Sequence, residues 1–141
     1  SNRDILDFKK HITRLAAEKA YNCGIGPDDL DFLEVHDATA IGEIIEMEAL
    51  GVCEQGDGGA FAEKGFTALT GTIPVNPSGG LESKGHPIGA TGLGQIYELV
   101  TQLRGEAKSR QVESPRVALA QNGGGVYGIE EAVSAVTILS V

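Results

Sequence analysis

The chain has no tryptophan, one methionine, two cysteines, four phenylalanines and three tyrosines in 141 residues. With so few large aromatics, the core has to come from Ile, Leu, Val and Ala. Two cysteines cannot build the disulfide framework of a small secreted domain. Cys23 and Cys53 also lack metal-site spacing, and no other cluster calls for a metal. Both read as free thiols of a reducing compartment, which suits a cytoplasmic bacterial or archaeal enzyme. Basic residues are scarce: 11 Lys and Arg stand against 20 Asp and Glu, a formal charge of −9. That balance argues against nucleic acid or an anionic membrane as partner. No apolar run reaches membrane-spanning length, and no signal peptide is expected. The chain opens Ser1-Asn2-Arg3 without methionine, which suggests a processed end with residues left from a tag.

What the chain has in quantity is glycine, 20 residues, alongside 41% hydrophobic residues. Its length supports one domain with a real core, over residues 1–141. No internal repeat, low-complexity stretch or interdomain linker interrupts it. Phe8, Ile12, Leu15, Ala16 and Ala20 recur at helical spacing, and Gly24 ends that helix before Pro27. Leu30 to Val35 reads as a short strand delivering His36 at its C-terminal end, the edge where ligands collect in open α/β sheets. Asp37 or Thr39 can cap a second helix with a face of Ile41, Ile44, Ile45 and Ala49. Glu43, Glu46 and Glu48 on that helix read as a solvated face. His11, among charges on the first helix, reads as exposed.

Residues 51–71 form a long glycine-rich segment with a helical turn near Ala60 to Gly65; loops this long are usually functional or partner-facing. Thr72 to Asn76 reads as a short strand. Thr91 or Gly92 opens a third helix with Ile96, Leu99, Val100 and Leu103 on one face, stopped by Gly105. Arg116 to Ala120 and Ala132 to Val141 read as strands joined by a short connection, hence antiparallel. The last is apolar on both faces, as for a strand between layers. The order predicts an α/β fold with helices layered on a mixed sheet.

The stretch Gly85-His86-Pro87-Ile88-Gly89-Ala90-Thr91-Gly92 is the most informative. One histidine sits between a glycine-rich loop and a helix start, where free N–H groups and a partial positive charge are available. Such a histidine can donate to a developing oxyanion or lower the pKa of a nearby thiol. It can equally be a loop residue bonded to backbone. Two further segments stand out: Glu34-Val35-His36-Asp37-Ala38, and Gln121-Asn122-Gly123-Gly124-Gly125-Val126-Tyr127-Gly128.

Together these segments resemble three signatures of the thiolase superfamily, in the family's order. The first is similar to GHPxGxTG. The second is similar to the segment reading NEAF in most thiolases and HDCF in sterol-carrier and archaeal types. The third is similar to the final CxGGGxG loop. The resemblance covers about Phe8 to Val141. It implies the later part of the C-terminal half of a five-layered thiolase, with part of a five-stranded-type sheet missing. The N-terminal half, which carries the acylated cysteine, is expected to be absent, so the segment alone is expected to be inactive. Unpaired sheet edges would then favour self-association.

By the same resemblance, His86 activates that cysteine and offers an N–H to a thioester oxygen. His36 helps form an oxyanion hole, with Asp37 as a cap or as its orienter. Gly123, Gly124 and Gly125 form a backbone oxyanion pocket, with Asn122 bracing it. Two departures matter. Gln121 replaces the CxGGGxG cysteine, and Ala38 replaces the cysteine of HDCF. A thiol can exchange protons near neutral pH, whereas an amide cannot. Tyr127 brings an ionisable hydroxyl next to the glycine turn, where it is either a packed aromatic or a catalytic group.

The resemblance implies an acyl-CoA acyltransferase of the acetyl-CoA acetyltransferase type, forming or cleaving C–C bonds, with the CoA thioester as substrate and no separate cofactor. One alternative is a thiolase-like retro-aldolase of steroid side-chain acyl-CoA, a group that works with a small OB-fold partner. Another is a non-catalytic acyl-CoA-binding subunit. A homo-oligomer is expected by the same resemblance.

Overall fold

The computed structural model describes residues 7–128 and 130–141. The start at Ser1-Asn2-Arg3 lies outside them. The described residues form a three-stranded sheet in the order β1-β2-β3 with helices on both faces. β1 is Phe32–Glu34, β2 Val117–Gly124 and β3 Val133–Ser140. β1 runs parallel to β2, pairing Leu33 with Leu119, and β2 runs antiparallel to β3, pairing Gln121 with Val136. The sheet is therefore mixed, as the element order predicts.

Strand alternation divides the core in two. On one face Leu33, Val35 and Leu119 pack with Ala17 of α1 (Ile12–Tyr21) and with Met47 and Leu50 of α2 (Ala40–Leu50). On the other, Phe32, Ala118 and Ala120 pack with Leu99 of α5 (Thr91–Leu103). Phe32, Leu33, Leu99 and Leu119 are completely buried. Each such side chain contributes about 1.5–3 kcal/mol of hydrophobic stabilisation. Position 121 continues the α1 and α2 face and position 122 the α5 face, which decides what each contacts in the site.

Several elements differ from their sequence-based expectations. The first helix is broken at His11, whose backbone is extended (φ −53°, ψ 135°), with a 3-10 turn at Phe8–Lys10 before it. His11 is largely buried, with Nε2 3.7 Å from Glu130. α2 is capped by Thr39, whose Oγ1 accepts from the Gly42 N–H at 3.1 Å. Its buried stripe is Glu46, Met47, Ala49 and Leu50, while Ile41 is 61% exposed. The helix is turned because its glutamates have partners inside. Glu43 accepts from Asn76 Nδ2 at 2.7 Å, and Glu48 from the Gly58 N–H at 3.0 Å.

The helical turn in the glycine-rich segment is α3 (Gly58–Glu63). Residues 72–76 make only a single parallel bridge, Val75 to Leu33, because Asn76 turns into the left-handed region (φ 50°). β3 is an edge strand with alternate residues exposed. Val136 and Ile138 face the core under α1, but Val133, Ala135 and Thr137 are exposed. On the α5 side only Leu139 of β3 packs against the core, so most of that face of the last strand is exposed.

A short helix, α4 (Gly80–Lys84), precedes the histidine loop. Gly79 (φ 95°) and Gly80 (φ 60°) both take left-handed backbone. Asp37 accepts the Leu81 N–H at 2.7 Å, so it caps α4 and not α2. A Cβ at Gly80 would overlap that carboxylate, which explains the glycine. Gly85 (φ 83°) then ends α4 and releases His86. No helix among the described residues is long and apolar enough to cross a membrane.

Candidate active site

Two loops bring the candidate histidines together. His36 leaves the C-terminal end of β1, and His86 leaves α4 just before α5. Their Nε2 atoms are 3.4 Å apart and their ring centroids 4.9 Å apart. Each ring is held from its far side. His86 Nδ1 lies 2.7 Å from the Thr91 hydroxyl at the start of α5, and that hydroxyl also reaches the Pro87 carbonyl at 3.2 Å. His36 Nδ1 contacts the carboxylate of Glu131, in the connection from β2 to β3. The Glu131 carboxylate accepts, so the Nδ1–H of His36 is committed to it. What His36 presents to His86 is Nε2.

Gln121 ties this arrangement down from below. It is fully buried on the α1 and α2 face of β2. Its Oε1 accepts the backbone N–H of His36 at 2.9 Å. Its Nε2 donates toward Glu131 Oε2 at 3.1 Å, Ser134 Oγ at 3.1 Å and Thr13 Oγ1 at 3.2 Å. Asn122 points to the opposite face, where a Cβ at Gly92 would meet its Nδ2 at 3.3 Å, so it sits against the start of α5.

Gly123 and Gly124 belong to β2, pairing Ser134 and Val133. The Glu131 carboxylate lies over Gly123 in space that a Cβ would occupy. An oxyanion placed against Gly123 would therefore face a carboxylate. Gly125 (φ 68°) turns out of the strand and lines the cleft beside His36. Tyr127 is about half-exposed, and its backbone pairs with Glu130 in a tight turn. It does not line the cleft that holds His36.

That cleft has a volume of about 480 Å³ and runs between α2 and the turn after β2. Ile41, Ile45 and Val126 form an apolar rim. His36, Glu46, Glu130 and Glu131 supply the polar groups. Burial pushes the Glu46 carboxyl up to about 7, helped by neighbouring Glu131 and Glu130 and opposed by the Thr13 hydroxyl and His36. The hydrogen bond to Glu131 raises the His36 imidazole pKa above its ordinary value against the cost of burial. The charges of Glu131, Glu46 and Asp37 add to the rise. A protonated His36 is thus stabilised in a site rich in carboxylates.

Sequence reasoning missed Glu131 and Glu46. The only signal for Glu131 was its position just after the glycine turn. The helical pattern places Glu46 in solvent because its partners come from other elements. Cys53 is half-buried and Cys23 exposed, and neither lines the cleft. Among the described residues, no group of His, Cys, Asp and Glu is arranged to hold a metal.

Comparison with known proteins places this geometry in context. Residues 2–140 match the family model described as thiolase C-terminal domain-like. An acetyl-CoA acetyltransferase of Methanothermobacter thermautotrophicus is 47% identical over 129 residues, 87% of this chain and 34% of that protein. Sterol carrier protein 2 of Rattus norvegicus is 49% identical over 118 residues, 84% of this chain and 21% of that protein. The benzoylsuccinyl-CoA thiolase subunit BbsB of Thauera aromatica is 43% identical over 116 residues, 81% of this chain and 30% of that protein. The chain thus spans a fifth to a third of the relatives it matches. A solved Ltp2-ChsH2(DUF35) aldolase superposes with a TM-score of 0.73 over 93% of this chain, at 22% identity. That likeness establishes a shared fold.

Proposed function

We infer that this chain, which belongs to the thiolase C-terminal domain-like family, provides the histidine half of a catalytic site for carbon–carbon bond chemistry on acyl-CoA thioesters. The observation that carries the reading is the pair of Nε2 atoms 3.4 Å apart, each ring anchored through Nδ1. Two imidazoles so placed can share one proton. Protonated His36 donates through Nε2–H to a thioester oxygen as negative charge develops there. His86, with Thr91 behind it, accepts a proton from a nucleophilic thiol. General acid–base transfer of this kind contributes typically ~10²–10⁴-fold in rate.

The thiol comes from an N-terminal half such as the longer relatives have room for. Leu93 and Tyr97 on the outer face of α5, with Ile88 in the histidine loop, are strongly exposed apolar groups. They support a second body packing on that side. The apolar rim of the cleft suits an acyl chain better than a polar one.

A second reading, cleavage of an aldol-type steroid side-chain acyl-CoA, is favoured by one observation. Gln121 is buried and fully engaged, so no thiol is available at that position for proton exchange. The assay that decides uses the protein with its N-terminal half. It follows CoA-dependent thiolysis of acetoacetyl-CoA beside cleavage of a 17-hydroxy steroid side-chain CoA. Thiolysis of the first supports the acyltransferase reading. Cleavage of the second without thiol dependence supports the aldolase reading. Turnover of neither, with acyl-CoA binding unchanged in His86→Ala, refutes both and leaves a binding subunit.

A further inference from the structure

We propose that Glu131 is the positioning residue that makes His36 the proton donor to the enolate formed on carbon–carbon cleavage, in place of a thiol at position 121 or 38. The inference rests on the acyl-CoA reading above, and enolate protonation is common to both forms of that reading.

Three contacts define the clamp. One Glu131 oxygen takes the His36 Nδ1–H, and the other accepts from Gln121 Nε2 at 3.1 Å. Gln121 Oε1 holds the backbone N–H of His36 at 2.9 Å. The residue that removes the expected thiol therefore fixes both the backbone of His36 and the carboxylate behind its ring. Gly123 completes the device, because a side chain there would displace the carboxylate. Ala38, at the other position where a thiol was expected, lines the same cleft and supplies no proton.

The step balances without any further reactant. Cleavage leaves the bonding pair on the carbon next to the thioester carbonyl, delocalised as an enolate. The Nε2–H of imidazolium, hydrogen-bonded to the thioester oxygen while charge develops there, is then delivered to that carbon. The enolate C=C pair forms the new C–H bond, the oxygen pair returns to the C=O bond, and the N–H pair stays on Nε2. In the condensing direction, neutral His36 takes the same proton back. Glu131 matches the imidazolium charge in one state and orients the Nε2 lone pair in the other. His86 Nε2, 3.4 Å away, is within reach to exchange that proton.

The charged and titratable neighbours come from every packed element. Glu46 faces the pair from α2, Asp37 from the start of the α2 connection, and Glu130 from the turn before β3. His86 faces it from the α5 loop, and His11 lines the same cleft from the start of α1. Apart from the histidines all are acids, so the surroundings favour the protonated ring.

The test is a pH titration of His36 by histidine ¹⁵N NMR in the protein with its N-terminal half. The signal is identified by its loss in His36→Asn. In the unaltered protein the midpoint is expected above the ordinary histidine value, and above it the neutral ring should carry its proton on Nδ1. A neutral ring protonated on Nε2, or a midpoint at or below the ordinary value, overturns the assignment with no variant needed. Glu131→Gln keeps the shape and removes the charge, so the midpoint should fall. Glu131→Asp should recover part of that fall. An unchanged midpoint in a folded Glu131→Gln protein overturns the proposal. If the midpoint moves as expected but no acyl-CoA substrate is turned over, the clamp stands and the functional reading fails.

Discussion

Replacing Glu46 by glutamine isolates the cost of keeping a carboxylate beside the histidine pair. Glu46 is 5% exposed, and burial lifts its pKa from 4.5 to about 7. Its ionisation is therefore disfavoured in the folded state. Its contribution is fully present below pH 4.5, declines between 4.5 and about 7, and levels off above that. At 1.36 kcal/mol per pH unit, the rise of about 2.5 corresponds to about 3 kcal/mol lost across the window. Glutamine keeps the shape and does not titrate. Urea unfolding of the parent and Glu46→Gln proteins at pH 5, 6, 7 and 8 measures the difference. The variant should gain on the parent by about 2.5 kcal/mol between pH 5 and 8, most of it below pH 7. The charge of nearby His36 reduces that gain as a variable offset, so 2 kcal/mol also agrees. Parallel stability curves would refute the reasoning, because they would mean Glu46 ionises in the fold as freely as in water. Glu34, also raised to about 7 by burial, titrates in both proteins and cancels in the comparison.

Three further outcomes follow from specific contacts. Gly80→Ala forces a Cβ into the Asp37 carboxylate at a left-handed position, and should cost about 2 kcal/mol or more in chemical denaturation. Gln102→Leu removes bonds from the Arg110 carbonyl, the Val112 N–H and Glu98, all around one fully buried amide. It should destabilise by about 2–3 kcal/mol in the same assay. Gly123→Ala should expel the Glu131 carboxylate from the site and reduce turnover by about tenfold or more, with a loss of melting temperature smaller than that of Gly80→Ala.

Much of the layout was legible because it rests on periodicity and punctuation. The short strand leading to His36, the helix opening at Thr91 and the antiparallel final pair all come from local pattern. The meeting of His36 with His86 was anticipated only through the motif resemblance, since fifty residues separate them. What local pattern misjudged is instructive. Ile41 and Ile45 looked like the buried face of α2, yet Glu43, Glu46 and Glu48 turn inward because Asn76, Gly58 and the histidine site await them. A hydrophobic count prices those glutamates as solvent-facing, while the fold supplies donors from elements that are distant in sequence. Asp37 looked like a cap for the helix that follows it and instead caps α4, forty-four residues on. The clamp of Gln121, Glu131 and Gly123 needed the β2–β3 hairpin to be closed before any of its members had a partner.

The most direct measurement is a double-mutant cycle on the two histidines. It compares kcat/KM for acyl-CoA cleavage by the protein with its N-terminal half and by its His36→Ala, His86→Ala and doubly substituted forms. If the two Nε2 atoms work as one proton-sharing unit, each single change should cost about 10²–10⁴-fold, and the double change little more than the worse single one. Losses that multiply across the two sites would show two independent groups and contradict the account.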